Sequence, residues 1–173
     1  MKKFYIGDPC YVMAEEYYNQ WLEKFNADDG LHELELENGK KCDFDVTGTY
    51  YGDGLYDFWN NGVIDRSKVN FIKEFPVDSG TIAVVPEDLW NKELSDEDIV
   101  AFGLIISSKN DVRPELDYQE NGEINIKNKS FSEEEIEEFK SNGDYNDFVL
   151  YDIRYITIPT GPDEDEEDEE WYW

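Results

Sequence analysis

Alternating hydrophobic and polar positions predict that most of this chain forms β-strands, with one clear helix near its start. Lys3–Gly7 predicts a short first strand that ends at Asp8-Pro9. Hydrophobic residues then recur at helical spacing over Ala14–Phe25, which predicts a helix. Residues 31–51 alternate on both sides of Asn38-Gly39, and this pattern is typical of a β-hairpin.

The rest of the chain predicts more strands, separated by turns and short helices. Two further Asn-Gly turns, Asn61-Gly62 and Asn121-Gly122, stand between strand-like runs. The other predicted strands are Phe71–Val77, Thr81–Val85, Phe102–Ser107 and the strongly alternating Phe148–Ile158.

Helix signals in this second part are local. Pro86–Trp90 is typical of the first turn of a short helix. Ser95 and Ser132 each begin a capping-box pattern, and the second predicts a helix over Glu133–Lys140.

Together these elements predict an α+β fold: a single domain with a curved, mainly antiparallel sheet of about eight strands and two or three short helices. The domain is expected to span residues 1–162, because Pro159-Thr160-Gly161-Pro162 follows the last predicted strand and ends the fold. Residues 163–173 then form an acidic C-terminal tail.

The charge of the chain restricts the range of possible functions more than the predicted fold does. It has 173 residues, with 43 Asp and Glu against 15 Lys and Arg, for a net charge of −28. Aromatic residues make up 16%, which is typical of a folded domain and not of an acidic disordered chain. The run Asp163–Glu170 supplies only eight of these charges, so the predicted domain is itself strongly acidic.

Such a charge excludes direct binding to nucleic acid or to an anionic membrane surface. A domain of this length is about 40 Å across, and duplex DNA of that length carries about 24 phosphate charges. The net charge of the protein is therefore similar to that of an equal length of DNA. Solubility alone needs a net charge of only about 2–8. A high-salt host is the other general explanation, but the many lysines argue against it.

The sequence predicts a cytoplasmic protein without a membrane span. No apolar run reaches the 18 or so residues that a span needs. The opening residues lack the apolar stretch of a secretory signal. Two cysteines, Cys10 and Cys42, are too few for a disulfide scaffold or a thiolate zinc site.

We predict neither a catalytic centre nor a cofactor or metal. His32 is the only histidine, and a dyad with Cys10 or Cys42 has no support in the pattern. The loop Asn26–Gly30 fails the calcium-loop pattern because its glycine comes one position early. Phosphate-binding glycine motifs are missing from the sequence.

The tail is the most distinctive candidate for partner binding. An acidic run with an aromatic tip provides charge for steering and rings for buried contact area. This layout resembles the acidic C-terminal tips of single-stranded-DNA-binding proteins, which recruit partner proteins. The alternative is that the aromatics fold back onto the domain. The predicted partner-binding residues are Asp163, Glu164, Asp165, Glu166, Glu167, Asp168, Glu169, Glu170, Trp171, Tyr172 and Trp173.

Three short motifs in the first 90 residues resemble a group of uncharacterised bacterial and phage proteins. These proteins share a Gly-Asp-Pro-Cys/Ser-Tyr-Val opening, a Gly-Asp-Gly loop and an Asp-Ser/Ala-Gly turn. The resemblance implies a β-rich fold and a phage setting, without a settled activity. Its residues here are Gly7, Asp8, Pro9, Cys10 and Tyr11, then Gly52, Asp53 and Gly54, then Asp78, Ser79 and Gly80.

These observations favour a non-catalytic acidic inhibitor, from a phage or mobile element, that mimics nucleic acid and occupies a basic groove on a host defence or DNA-processing protein. The tail tip, or exposed aromatics such as Trp59 and Trp90, would supply the main contacts. One alternative is a small-molecule or calcium-binding module that uses the Gly/Asp loops. Another is a hydrolase that uses Asp8, Cys10 or Asp78. The oligomeric state stays open.

Overall fold

The computed structural model describes residues 2–60, 71–108, 112–127, 134, 149–150 and 155–162. Within these residues the chain forms two sheets, two α-helices and two single-turn 3-10 helices. The α-helices are α1 (Glu15–Lys24) and α2 (Asp96–Val100). The 3-10 helices span Pro9–Tyr11 and Glu87–Leu89.

Six strands form the first sheet, which we call the central sheet, in the order β10-β7-β1-β6-β3-β2. All of its pairings are antiparallel except β10 with β7. Its strands are β1 (Lys2–Gly7), β2 (Gly30–Glu35), β3 (Lys41–Gly48), β6 (Thr81–Pro86), β7 (Gly103–Ser108) and β10 (Val149–Leu150).

Five strands form the second sheet, which we call the outer sheet, in the order β5-β4-β11-β9-β8. It is antiparallel throughout, with one irregularity between Phe58 and Trp59. Its strands are β4 (Gly54–Asn60), β5 (Phe71–Val77), β8 (Glu115–Tyr118), β9 (Glu123–Lys127) and β11 (Tyr155–Pro159).

Two hydrophobic cores cover the two faces of the central sheet. On one face, Phe4 and Ile6 of β1 pack with residues of the outer sheet such as Phe58 and Ile156. On the other face, Tyr5 of β1 packs with residues of α1 and α2 such as Trp21 and Ile99. The fold therefore has three layers, helices over sheet over sheet, and alternate side chains of β1 point into different cores.

Most of the predicted elements are confirmed. The first strand, the first helix and the two strands around Asp78-Ser79-Gly80 lie within a residue of their predicted bounds. The hairpin is also present, but its second strand ends at Gly48, three residues before the predicted end. Ser95 makes the predicted capping box with Asp98. Gly39 and Gly122 adopt positive φ in their Asn-Gly turns, as such turns require.

Three predictions fall outside the described residues. They are the Asn61-Gly62 turn, the Ser132 capping box with its helix over Glu133–Lys140 (except Glu134), and the tail over 163–173.

Three predictions about the sheets are wrong. The chain forms two packed sheets in place of one curved sheet, and the described strands exceed the predicted eight. Phe148–Ile158 is not one strand, because β10 joins the central sheet while β11 joins the outer sheet. Alternation has the same period of two in either sheet, so the pattern does not reveal where a chain changes partner.

Candidate functional site

Three motifs that are far apart in the sequence meet at one end of the two sheets. Gly7 ends β1 opposite Ala83 of β6, so Asp8 lies beside the β5–β6 turn at Asp78-Ser79-Gly80. Gly54 begins β4 opposite Val77, which places the Gly52-Asp53-Gly54 loop at the same turn. A side chain at Gly80 would come within 3.6 Å of an Asp53 carboxylate oxygen. We call this convergence the motif cluster.

Asp8 is the buried centre of the motif cluster. One carboxylate oxygen accepts hydrogen bonds from Cys10 N (2.8 Å) and Ser79 Oγ (2.7 Å). The other accepts from Asp78 N (2.6 Å) and Ser79 N (2.7 Å). These four hydrogen bonds compensate the burial of the carboxylate. They also connect the turn that follows β1 to the β5–β6 turn.

Tyrosines close the motif cluster on either side of Asp8. Buried Tyr5 donates its hydroxyl proton to the Asp8 carbonyl oxygen at 2.9 Å, and burial raises its pKa well above the ordinary value. The Tyr11 ring stacks on Phe102, with centroids 4.5 Å apart, and its hydroxyl donates to Asp78. Partial burial and this carboxylate also raise the pKa of Tyr11.

Cys10 is exposed in the motif cluster, and its surroundings disfavour the thiolate form. Partial burial of the sulfur, a hydrogen bond to Asp8 and the charges of Asp8, Asp78 and Asp53 raise its pKa to about 12. The thiol is therefore protonated at neutral pH, whereas a nucleophilic cysteine needs a lowered pKa. These contacts weigh against a hydrolase that uses Cys10, with Asp8 already bound by four donors.

The structure gives no support to a dyad with His32. Its ring nitrogen lies 2.7 Å from the Asp28 carbonyl oxygen, and the ring packs on Phe25 with centroids 4.6 Å apart. Cys42 is buried on the neighbouring strand, and burial raises the pKa of its thiol to about 11. A thiolate–imidazolium pair would need the opposite shift.

The Gly/Asp loop is a turn whose conformation is held by hydrogen bonds from neighbouring side chains. The Gly52 carbonyl oxygen accepts from Thr49 Oγ1 (2.5 Å) and from Tyr56 Oη (2.8 Å). Gly52 adopts φ +77°, which favours glycine. In the part of the chain that the structure describes, no three or more His, Cys, Asp or Glu side chains group in a way that could hold a metal ion.

Large exposed side chains flank this loop, and the sequence analysis missed them. Tyr50, Tyr51 and Leu55 are 48%, 63% and 65% exposed. The two tyrosine rings pack edge to face with centroids 4.8 Å apart. Two consecutive tyrosines beside a Gly-Asp-Gly turn were the available signal, because a turn places its neighbours at the surface.

Trp59 and Trp90, which the sequence analysis expected at the surface, are less exposed than these two tyrosines. Trp90 is buried, and its indole N–H donates to the Val85 carbonyl oxygen at 2.9 Å, so its predicted role as a surface contact is wrong. Trp59 is half-buried and packs on Phe71. The pattern misled at Trp90 because the 3-10 helix Glu87–Leu89 after β6 brings this residue back against the strand, where its indole bonds Val85.

Nearly all acidic side chains of the described residues lie at the surface. All of them are exposed except Asp8, which is buried, and four half-buried residues: Asp45, Asp57, Asp96 and Glu123. The described ion pairs neutralise few of them, joining Lys2 to Asp88, Lys3 to Asp96, Lys41 to Glu33 and Arg113 to Asp45.

Carboxylates also lie close to one another on this surface. The pKa of Glu16 is raised by local desolvation and by a hydrogen bond to Glu37, whose charge acts in the same direction. Such crowding is unfavourable for folding, and a cationic partner would relieve it.

The predicted partner-binding tail, from Asp163 to Trp173, lies outside the described residues. The last described residues, Thr160 to Pro162, lie beside the Gly/Asp loop, because Tyr50 N donates to Thr160 Oγ1 at 3.0 Å. Thr160 therefore lies at the motif-cluster end of the sheets.

Comparison with known proteins adds no relative. The chain matches no family model, and no curated protein and no solved structure matches it significantly. The resemblance to uncharacterised bacterial and phage proteins stays a prediction. Among the described residues, no helix is long and apolar enough to cross a membrane.

Proposed function

We propose that this protein is a non-catalytic acidic binding protein that mimics nucleic acid and occupies a basic groove on a nucleic-acid-binding partner. In the setting that the motif resemblance implies, it is a phage or mobile-element inhibitor of a host defence or DNA-processing protein. It works in the cytoplasm, where such partners act.

One observation carries the proposal: a net charge of −28 whose carboxylates are nearly all exposed in the described part of the chain. The ion pairs among the described residues occupy only four carboxylates, those of Glu33, Asp45, Asp88 and Asp96. A surface of this kind attracts a basic groove over a distance of about 8–10 Å at moderate salt. Its carboxylates would take the places of phosphates, and the bound groove would be closed to DNA or RNA.

The other two hypotheses draw less support from the motif cluster. Asp8 is saturated by four protein donors, and the Gly52 carbonyl oxygen is bound by two side-chain hydroxyls. These groups hold the turns together and are not directed at a ligand. The Cys10 thiol is protonated at neutral pH, which also argues against catalysis.

Capture from host lysate at two salt concentrations tests the proposal. We expect the immobilised full chain to retain nucleic-acid-binding proteins at about 50 mM salt and to release them at about 500 mM. Added duplex DNA should release the same proteins, because both ligands compete for one groove. Polyglutamate at an equal concentration of charge is the control for non-specific acidity and should release less.

Two results would contradict the proposal. One is a captured partner that binds equally well at both salt concentrations. The other is a partner that stays bound while it also binds duplex DNA, since mimicry requires the two to exclude each other.

A further inference from the structure

We propose that the loop over residues 49–55 forms an arginine-recognition surface through which the protein contacts its basic partner. We call it the tyrosine loop; its contact residues are Tyr50, Tyr51 and Leu55, and its acidic rim is Asp53 and Asp78. The inference rests on the proposed function and adds which surface makes the specific contact. Without it, the acidic charge accounts for attraction but not for a defined binding geometry.

The first argument is exposure. Tyr50, Tyr51 and Leu55 expose half to two-thirds of their surface within six residues of chain. Isolated exposed hydrophobics are common, but adjacent ones are typical of interaction sites. Tyrosine is also enriched among the residues that contribute most to binding at protein interfaces.

The second argument is that hydrogen bonds hold the tyrosine loop in place before any partner binds. Thr49 N donates to the Gly80 carbonyl oxygen at 3.0 Å, and Tyr50 N donates to Thr160 Oγ1 at 3.0 Å. Both Thr49 Oγ1 and Tyr56 Oη donate to the Gly52 carbonyl oxygen. A loop held in this way loses little conformational entropy when it binds, so more of the contact energy appears as affinity.

The third argument is charge. Asp53 lies within the loop and Asp78 in the adjoining turn; both are exposed, and neither takes part in an ion pair that the structure describes. Exposed aromatic rings and carboxylates on one loop and its adjoining turn suit a guanidinium group, which stacks on a ring and donates to an oxygen at once. The occupant is therefore an arginine-bearing segment of a partner protein. Nucleic acid and a second copy of this chain are both repelled by the charge of −28.

Two pairs of variants separate contact from charge. Tyr50→Ala with Tyr51→Ala removes the rings at unchanged charge, and Leu22→Ala on α1 (39% exposed) is its hydrophobic control. Asp53→Asn with Asp78→Asn removes two charges at the loop. Glu15→Gln with Glu23→Gln removes two exposed charges on α1 and is the charge-matched control.

The probe is a fluorescent twelve-residue peptide of alternating arginine and glycine, titrated into the full chain at about 150 mM salt. We expect the double tyrosine variant to bind about tenfold more weakly, as the loss of a desolvated cation–π contact predicts. The Asp53/Asp78 variant should weaken binding more than the Glu15/Glu23 variant. A peptide with lysine in place of arginine should depend less on the tyrosines.

A second measurement does not depend on the variants. In the amide NMR spectrum of the unmodified chain, the arginine peptide should shift the signals of residues 49–55 and 78–80 more than those of α1. Equal binding by the double tyrosine variant and the unmodified chain, or shifts spread evenly over the acidic surface, would overturn this inference. Neither result affects the salt and DNA competition that tests the proposed function. Failure of that competition with the loop shifts still present would overturn mimicry alone.

Discussion

Asp8 joins the end of β1 to a turn 70 residues away, and its surroundings show what a single buried carboxylate does for this fold. The Asp-Pro and Asp-Ser-Gly motifs predict turns, and both turns are present, with Gly80 at φ +72°. A local pattern does not reveal that the two turns bond to each other. That contact depends on β1 and β6 being neighbours in the sheet, which periodicity alone does not specify.

The first prediction is that Asp8→Asn lowers the free energy of unfolding by about 2–4 kcal/mol. The side-chain amide of this variant would turn its own N–H groups toward backbone N–H groups that now donate to the carboxylate, at Cys10 or at Asp78 and Ser79. Urea denaturation measures the change. Asp117→Asn removes the same charge at an exposed position and should change stability by less than about 0.5 kcal/mol. An equal effect of both variants would show that the four hydrogen bonds contribute little.

The second prediction concerns Cys10. A pKa of about 12 in place of 9.0 lowers the thiolate fraction at neutral pH about a thousandfold, partly offset by higher intrinsic nucleophilicity, so we expect roughly 30-fold slower reaction with the aromatic disulfide DTNB than for a free cysteine. Cys42→Ala isolates the signal of Cys10. Adding Asp53→Asn and Asp78→Asn should speed the reaction, because their charges raise the pKa. Fast labelling at neutral pH would contradict this prediction and support Cys10 as a nucleophile.

At the scale of elements, strand positions could be predicted well and strand partners could not. Thr81–Pro86 and Gly103–Ser108 are buried at every position, whereas β9 alternates between buried and half-buried residues. A continuous apolar run is typical of a strand that is covered on both faces. These two runs are therefore the signal in the sequence for a third layer, which a single curved sheet lacks.

The capping box of α2 allows a test of how much a local sequence signal contributes to the stability of the helical layer. Ser95 Oγ accepts from Asp98 N at 3.2 Å, and Asp98 accepts in return from Ser95 N at 3.0 Å. We expect Ser95→Ala to destabilise the protein by about 1 kcal/mol in thermal or urea unfolding. Ser95→Asp keeps an acceptor at the cap and should restore most of the loss. If Ser95→Asp is as unstable as Ser95→Ala, the effect does not come from the cap.

At the scale of the whole molecule, the high negative charge favours the proposed binding but opposes folding. Exposed carboxylates make the proposed mimicry possible, and their mutual repulsion destabilises the folded state. The sequence predicts this charge directly, because it is a count of residues. It does not predict which aromatics are exposed among the charges, as Trp90 and Tyr51 show, because exposure depends on how the three layers pack.

The last prediction follows from this conflict: the protein should be more stable at pH 5 than at pH 8. Burial raises the pKa of Asp45 from 3.8 despite its Arg113 partner, and desolvation with Glu37 raises that of Glu16 from 4.5. A carboxyl whose pKa is raised on folding binds its proton more tightly in the folded state. Its contribution to stability is therefore fully present below the ordinary value and is lost as pH rises through the raised value.

Thermal unfolding at the two pH values, with low and high salt, measures the effect. We expect the midpoint at pH 5 to exceed that at pH 8, and each kcal/mol of added stability raises the midpoint by about 2–4 °C. Salt should raise the midpoint more at pH 8, where the repulsion is greater. Asp45→Asn should make the pH dependence shallower, whereas Asp117→Asn should change it less. A midpoint that falls from pH 8 to pH 5 would contradict this prediction. It would mean that folding lowers the pKa values of the carboxylates on balance. Their interactions would then stabilise the folded state, and the exposed charge would not destabilise it.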